Sequence, residues 1–328
     1  MQEAMDSAAR NWISRLAVSY PGAFRGQGEA APDRPTASSH ETCVYGADGA
    51  SVHVKFFRRT LGRTGVTYDP RREMEAEYGA LKEFERSGFS SGKYRIVRAL
   101  GVNEKLDCAL ATVYVGGGTV LSLIHDVLKN GGDEGELLHA LELTAGLLKK
   151  IHTVMPKSPR VDGAEMFYSY LKAILYLEDM GALDGFHRRI TNALSRWHRF
   201  KPLFEQAGAT VHGDANPSNF KVRGGVVYGF DVERSRPGRS PLLDVGTMVA
   251  ELRHHCAYLA GDEGRAEPYV ERFLRAYAPA GEERGRIGEL LPFYVSRGFF
   301  KIAMLGYWKH DYRRRLVELG AGRIEEGP

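Results

Sequence analysis

Hydrophobic and polar positions follow two different spacings along this chain. In the first twenty residues Trp12, Ile13 and Leu16 recur at helical spacing, which predicts a short amphipathic helix ended by Pro21. The following GAFRGQGEAAPDRPT is rich in Gly, Pro and Ala and reads as a linker. TCVY, a turn around GADG, and SVHVKFF then predict a hairpin. Its second strand sets Val52, Val54 and Phe56 on one face and His53, Lys55 and Phe57 on the other. RRTLGRTGVTY reads as a basic loop. Asp69 and Pro70 form a good helix start, as N-cap and first helical residue, and Gly88 a good stop. Between them Met74, Tyr78, Leu81 and Phe84 make an apolar stripe, with Glu77 well inside it. A carboxylate facing a core is costly unless a cation meets it. Glu77 is therefore expected to be paired, with Lys55 of the preceding strand as its partner.

YRIVRAL and CALATVYV predict two more strands, and Gly116 to Gly118 break the chain. Beyond this break the pattern turns helical. Leu137, Leu141, Leu148 and Ile151 recur at helical spacing, and helices are predicted around 165–180, 187–207, 243–260, 267–277 and 287–317. Strands first and helices afterwards indicate an α+β, two-lobed body.

Composition narrows the class without naming a chemistry. The 328 residues are 43% hydrophobic and 26% charged, ordinary for a soluble globular protein. A formal charge of +4 does not call for nucleic acid, where a concentrated basic face is expected. Cys43, Cys108 and Cys256 lie far apart without metal-ligand spacing, so the expectation is a reducing cytoplasm. No signal peptide or membrane span is expected.

The chemistry concentrates in VHGDANPSNF, residues 211–220. Gly213 and Pro217 exclude regular structure, and Asp214, Asn216 and Asn219 crowd polar groups together. FKV, Arg223-Gly224-Gly225 and VVYGF then predict a tight hairpin leading to Asp231. The hairpin is expected to bring Asp231 back beside Asn219, forming with Asp214 a hard, oxygen-only set suited to Mg²⁺. Read singly, each of these residues is equally a polar turn capping nearby backbone. Other features carry blander readings. Gly116 to Gly118 lack the GxxxxGK[ST] pattern and read as a hinge. His254 and His255 point apart on a helix and read as structural or surface residues. Arg234, Arg236 and Arg239 read as a solvated basic loop or, more sharply, as a site for an anionic acceptor. YRRRL, residues 312–316, reads as an exposed helix face.

HGDANPSN and FDVE resemble the aminoglycoside phosphotransferase and choline kinase branch of the protein kinase-like superfamily. The likeness continues upstream in order: Lys55 on a strand, Glu77 on the next helix, a hinge-like LATVYVGGG, and a helix ending in LLKKIH. It spans about residues 36–260. The resemblance implies a bilobal protein kinase-like fold, with a small antiparallel N-lobe sheet and one helix, and a larger, mainly helical C-lobe. It implies three segments: residues 1–35 as N-terminal helix and linker, 36–115 as the nucleotide-binding lobe, and 116–328 as the lobe with the catalytic loop and acceptor-binding helices. It implies ATP and Mg²⁺ as cofactors and Asp214 as catalytic base toward an acceptor hydroxyl. Asn219 and Asp231 would hold Mg²⁺, and Lys55, held by Glu77, would contact phosphates. The backbone from Val113 to Val115 would meet adenine, while His212 and Asp244 would brace the loop. The nucleotide-covering segment ASSHETCVYG departs from a Gly-rich loop; Ser38, Ser39 and Thr42 would meet phosphate instead.

The expected partner is a small-molecule hydroxyl acceptor, with no nucleic acid and no membrane. Two alternatives stay open: an atypical protein kinase, and an inactive nucleotide-binding scaffold. The acceptor is not named by the sequence, and Asn216, without a role in this scheme, is the loop position expected to face it.

Overall fold

The computed structural model describes residues 2–19, 40–47, 50–60 and 68–328. The linker, Ser38 and Ser39, the tip of the GADG turn and most of the RRTLGRTGVTY segment lie outside the described residues. The chain divides into two units, Met1–Gly117 with Arg223–Arg234, and Gly118–Val222 with Ser235–Pro328. Together their elements make an α+β protein. Among the described residues, no helix is long and apolar enough to cross a membrane.

In chain order the first unit holds α1 (Gln2–Ser19), β1 (His40–Ala47), β2 (Ala50–Thr60), α2 (Pro70–Arg86), β3 (Tyr94–Ile96), β4 (Ala99–Asn103) and β5 (Ala109–Val113). Four of its strands form an antiparallel sheet in the order β1-β2-β5-β4. The period-two alternation of β2 decides what each face does. Val52, Val54 and Phe56 pack with Ala9, Trp12 and Ile13 of α1 and with Leu100 and Leu106 in one buried cluster. Lys55 is buried on the opposite face. The start of α2 is set by Asp69, whose carboxylate accepts from the amides of Arg71 and Arg72 at 3.0 and 3.2 Å, with Pro70 in the first turn. Met74, Glu77, Leu81 and Phe84 form its buried stripe. The expected basic loop after the hairpin begins later than predicted. Arg58, Arg59 and Thr60 continue β2, and Arg59 is fixed there by Glu41 and by Asp107 at 2.7 Å.

Most of the remaining elements belong to the second unit. They are α3 (Val120–Asn130), α4 (Glu134–Val154), α5 (Gly163–Asp179), α6 (His187–Arg199), β6 (Ala209–Val211), β7 (Phe220–Arg223), β8 (Val226–Gly229), β9 (Arg236–Arg239), α7 (Leu242–Ala260), α8 (Glu267–Tyr277), α9 (Glu282–Ala303) and α10 (His310–Glu325). Of these, β8 lies in the first unit. Between β7 and β8 the chain reverses at Gly224 and Gly225, with φ of 56° and 72°. Two successive positive φ values are the requirement of a mirror-image hairpin turn, which is why the pair is Gly-Gly. The stretch YRIVRAL is split rather than continuous. β3 pairs in parallel with β8, whereas β4 pairs antiparallel with β5.

Three helix predictions need correction. α3 was not expected; Thr119 caps its start and left-handed Gly131 its end. The helix predicted over 187–207 ends at Arg199, and Pro202 lies in a separate short 3-10 turn, Lys201–Leu203. The helix predicted over 287–317 is two helices. The buried Arg313 of α10 donates to the carbonyls of Ala303 and Leu305 at 2.9 and 3.2 Å. It thereby satisfies acceptors left over at the end of α9. The YRRRL run is thus not simply an exposed face, since its second residue is the junction.

α7 and α9 pack at backbone distance. A Cβ placed on Gly246 would lie 2.4 Å from the Cβ and 2.7 Å from the carbonyl carbon of Tyr294, and one on Gly298 would lie 2.5 Å from the Cβ of Ala250. Only glycine fits at this crossing without separating the helices. Gly246→Ala is expected to destabilise the protein by about 1–3 kcal/mol through overpacking, measured as a lower urea midpoint at unchanged m-value.

Candidate active site

The first unit gathers charge around one ammonium. Lys55 projects from β2 and Glu77 from the buried face of α2, and Lys55 Nζ donates to Glu77 Oε2 at 2.8 Å. Both side chains are almost fully buried. Lys55 also reaches Asp231 Oδ1 at 3.4 Å. Asp231 is delivered by β8, whose register sets Gly229 opposite Ile96, and the amide of Val97 donates to the Gly229 carbonyl at 3.0 Å. The backbone of Asp231 is left-handed, with φ of 52°, a conformation Asp tolerates better than most residues. Glu233 joins the group: carboxylate oxygens of Glu77, Asp231 and Glu233 lie within 4.8 Å of one another. In extended chain, residues two apart share a face, so the D-x-E spacing was the available signal for Glu233.

Three carboxylates around one ammonium leave an excess of negative charge. Burial works against the Lys55 charge, but Glu77, then Asp231 and Glu233, outweigh it and hold its pKa well above the usual lysine value. Burial pushes the Glu77 carboxyl up to about 7; Lys55 opposes the rise, and Glu233 and Asp231 add to it. Glu233 Oε2 is buried without a hydrogen-bond partner. Hard oxygen donors carrying surplus negative charge fit Mg²⁺, and the half-exposed Asp231 carboxylate is the accessible one. The expected adenine-contacting segment is partly engaged already. The amide of Val113 donates to the Arg98 carbonyl at 3.0 Å and that of Tyr114 to Ser51 at 3.3 Å, while Val115 is buried.

The second unit holds the HGD loop by a buried carboxylate. Asp244, in the first turn of α7, accepts from the amides of His212 at 2.6 Å and Gly213 at 2.9 Å. Its Oδ2 also meets His152 Nε2 of α4 at 2.9 Å, and His152 Nδ1 meets the Tyr277 hydroxyl of α8 at 2.8 Å. Burial alone would raise the Asp244 pKa, but the hydrogen bond and charge of His152, with His212 and the Gly213 amide, hold it below the usual 3.8. Within the loop, Asn219 Nδ2 donates to the Asp214 carbonyl at 2.9 Å, which orients the amide and leaves its oxygen as a hard donor for a metal. Asn216 does not face outward as expected. Its side chain accepts from the Ser218 amide at 3.0 Å and caps the 3-10 turn Pro217–Asn219. The structure also adds Lys301 of α9, whose ammonium donates to Asp214 Oδ1. No local motif marks Lys301, which lies 87 residues from Asp214.

The remaining sequence features resolve as follows. Thr42 is buried in β1. Arg236 and Arg239 sit on β9, paired with β6, rather than in a loop; Arg239 bonds Glu165, while Arg234 and Arg236 are exposed. His254 and His255 do have neighbours. His254 Nδ1 meets the Tyr312 hydroxyl at 2.9 Å, His255 Nε2 lies 3.5 Å from Glu251, and the His125 ring lies 5.2 Å from that of His255. Burial, with His255 and His125 adding, drives the His254 pKa down to about 3, so the ring is neutral near pH 7.

With this geometry in hand, comparison with known proteins defines the class. Residues 47–288 match the model of the phosphotransferase enzyme family, and the chain belongs to that family. No curated protein sequence matches it. Among solved structures, a candidate fructosamine-3-kinase from Thermobifida fusca is similar at 17% identity, with 95% of this chain and 98% of that one covered and a TM-score of 0.57. A Plasmodium vivax ethanolamine kinase is similar at 12% identity, with 89% and 80% covered and a TM-score of 0.56. A glucosamine kinase in complex with glucosamine, ADP and inorganic phosphate shares 13% identity, with 96% and 81% covered and a TM-score of 0.58. At such identities the likeness is one of fold: the bilobal, kinase-like α+β architecture.

Because the folded-state pKa of Asp244 is lowered, its stabilisation is complete above pH 3.8 and is lost as pH falls through the folded value. Asp244→Asn is expected to lose about 3 kcal/mol at neutral pH and to show a shallower acid loss than the wild type, measured as melting temperature from pH 7 to 2.

Proposed function

We propose that the protein moves the γ-phosphoryl group of ATP to a hydroxyl of a small molecule, with Mg²⁺. The observation that carries this reading is the buried Lys55–Glu77 pair with Asp231 at the same ammonium. A lysine so placed is charged, immobile and backed by carboxylates, which suits a contact to phosphate rather than a structural surface role. Membership of the phosphotransferase family supports the reaction class, and the glucosamine kinase complex, with its ADP and glucosamine, supports the nucleotide and the size of acceptor.

In this reading residues 36–115 hold the nucleotide, with adenine against the backbone near Val113 to Val115 and Lys55 on the phosphates. The helices after residue 260 line the acceptor. Asp214 orients the acceptor hydroxyl and takes its proton as the hydroxyl oxygen bonds to Pγ. The bond from Pγ to the bridging oxygen breaks, and ADP leaves. Asn219 and Asp231 hold Mg²⁺, which when bound neutralises charge on the phosphate oxygens. The three free cysteines fit a reducing, ATP-containing cytoplasm. Amino sugars and amino alcohols lead the acceptor classes to screen.

Asp214→Ala and Asp231→Ala are each expected to lower ATP turnover with a metabolite library by at least about 100-fold, measured by coupled ADP release. Full turnover in either variant would sink the mechanism. Binding of ATP without Mg²⁺ and without turnover would indicate a scaffold, and label transfer to protein a protein kinase.

A further inference from the structure

The contact between Lys301 and Asp214 has no place in the motifs that drew attention to the loop. Lys301 sits near the end of α9, and its ammonium donates to Asp214 Oδ1; the two side chains are 28% and 19% exposed. The pair is thus half withdrawn from solvent, where an ammonium–carboxylate bond is stronger and less screened than on an open surface. We propose that Lys301 is a positioning residue for the phosphoryl transfer, holding the Asp214 carboxylate in the rotamer that meets the acceptor hydroxyl. This inference rests on the reading of Asp214 given above.

The surroundings of the pair favour this role over a chance surface contact. The Asp214 backbone is already fixed, its carbonyl by Asn219 and the preceding amides by Asp244. What remains mobile is the Asp214 side chain, and Lys301 takes hold of that. Gly298, one turn before Lys301, lies against Ala250 and the Gly246 carbonyl of α7. α7 also carries Asp244. One rigid helix pair therefore references both ends of Asp214, its backbone through Asp244 and its carboxylate through Lys301. Four residues before Lys301, Arg297 bonds Ser169 of α5 at 2.9 Å, which ties the same stretch of α9 to another helix.

The cation has a chemical consequence as well. A carboxylate beside an ammonium is a weaker base, because the charged form is favoured. That suits a loose phosphoryl transfer, in which the hydroxyl loses its proton late and orientation matters more than basicity. With one oxygen bonded to Lys301, the second carboxylate oxygen is the one assigned to the acceptor.

The test is steady-state ATP turnover, with water and with the metabolite library as acceptors, on full-length Lys301→Met, Lys301→Arg and Asp214→Asn. Lys301→Met is expected to lower kcat roughly 100-fold while KM for ATP stays within about threefold, because only a transition-state contact is lost. Lys301→Arg is expected to recover activity to within about tenfold of the wild type, since it restores the charged hydrogen bond. Should Lys301→Met melt early, Lys301→Gln keeps the polarity without the charge and carries the same expectation. Turnover by the uncharged variant within about twofold of the wild type, or an arginine variant as impaired as it, overturns the proposal. Persistence of activity in Asp214→Asn, or a wild type silent toward every acceptor, instead brings down the parent reading.

Discussion

Everything in the second unit that concerns chemistry depends on one buried carboxylate. Asp244 lies inside the protein with both oxygens bonded, and the donors come from the HGD loop and from α4. Withdrawing such a charge from water costs several kcal/mol unless its hydrogen bonds are replaced, and here they are. The replacement defines a geometry. A loop containing Gly213 and Pro217 has no ladder of its own to hold it, and the two amide bonds to Asp244 serve in its stead. His152 links Asp244 to α4, and Tyr277 extends the link to α8, so an irregular loop acquires the rigidity of three helices.

The first unit uses charge in the opposite way. Its group is not balanced: Glu77, Asp231 and Glu233 surround Lys55, and Glu233 Oε2 is buried without a partner. Unmatched buried charge is unfavourable for folding and is retained where a ligand supplies the missing counter-charge. A divalent cation or a cation-bound phosphate has the right sign. The two units thus combine a satisfied network that fixes a loop with an unsatisfied one that favours a ligand.

Features set by local periodicity were legible before the structure. The alternation in β2 told which side of the strand Lys55 occupies, and the position of Glu77 inside the α2 stripe demanded a cation. The Gly-Gly pair marked a turn with positive φ, and Asp69-Pro70 marked a helix start. Where the pattern was continuous but the backbone was not, reading by periodicity failed. YRIVRAL serves two strands with different partners, and the apolar run over 287–317 hides a break sealed by Arg313. Asn216 went astray for a related reason: the choice between facing outward and capping its own turn is made by Ser218, two residues on.

The sequence by itself determined the residue types of the site, their order, and the lysine–glutamate pair, because these follow from motif spacing and from the period of a strand and a helix. Only the tertiary structure decided which distant groups meet them. Lys301 joins Asp214 because α9 packs on α7 across two glycines, and His152 joins Asp244 because α4 passes beside α7. Such meetings depend on helix crossings, whose positions are set by long-range packing rather than by any local repeat. A hydrogen bond between residues far apart in sequence leaves no periodic trace, and so it became visible only when the chain was folded.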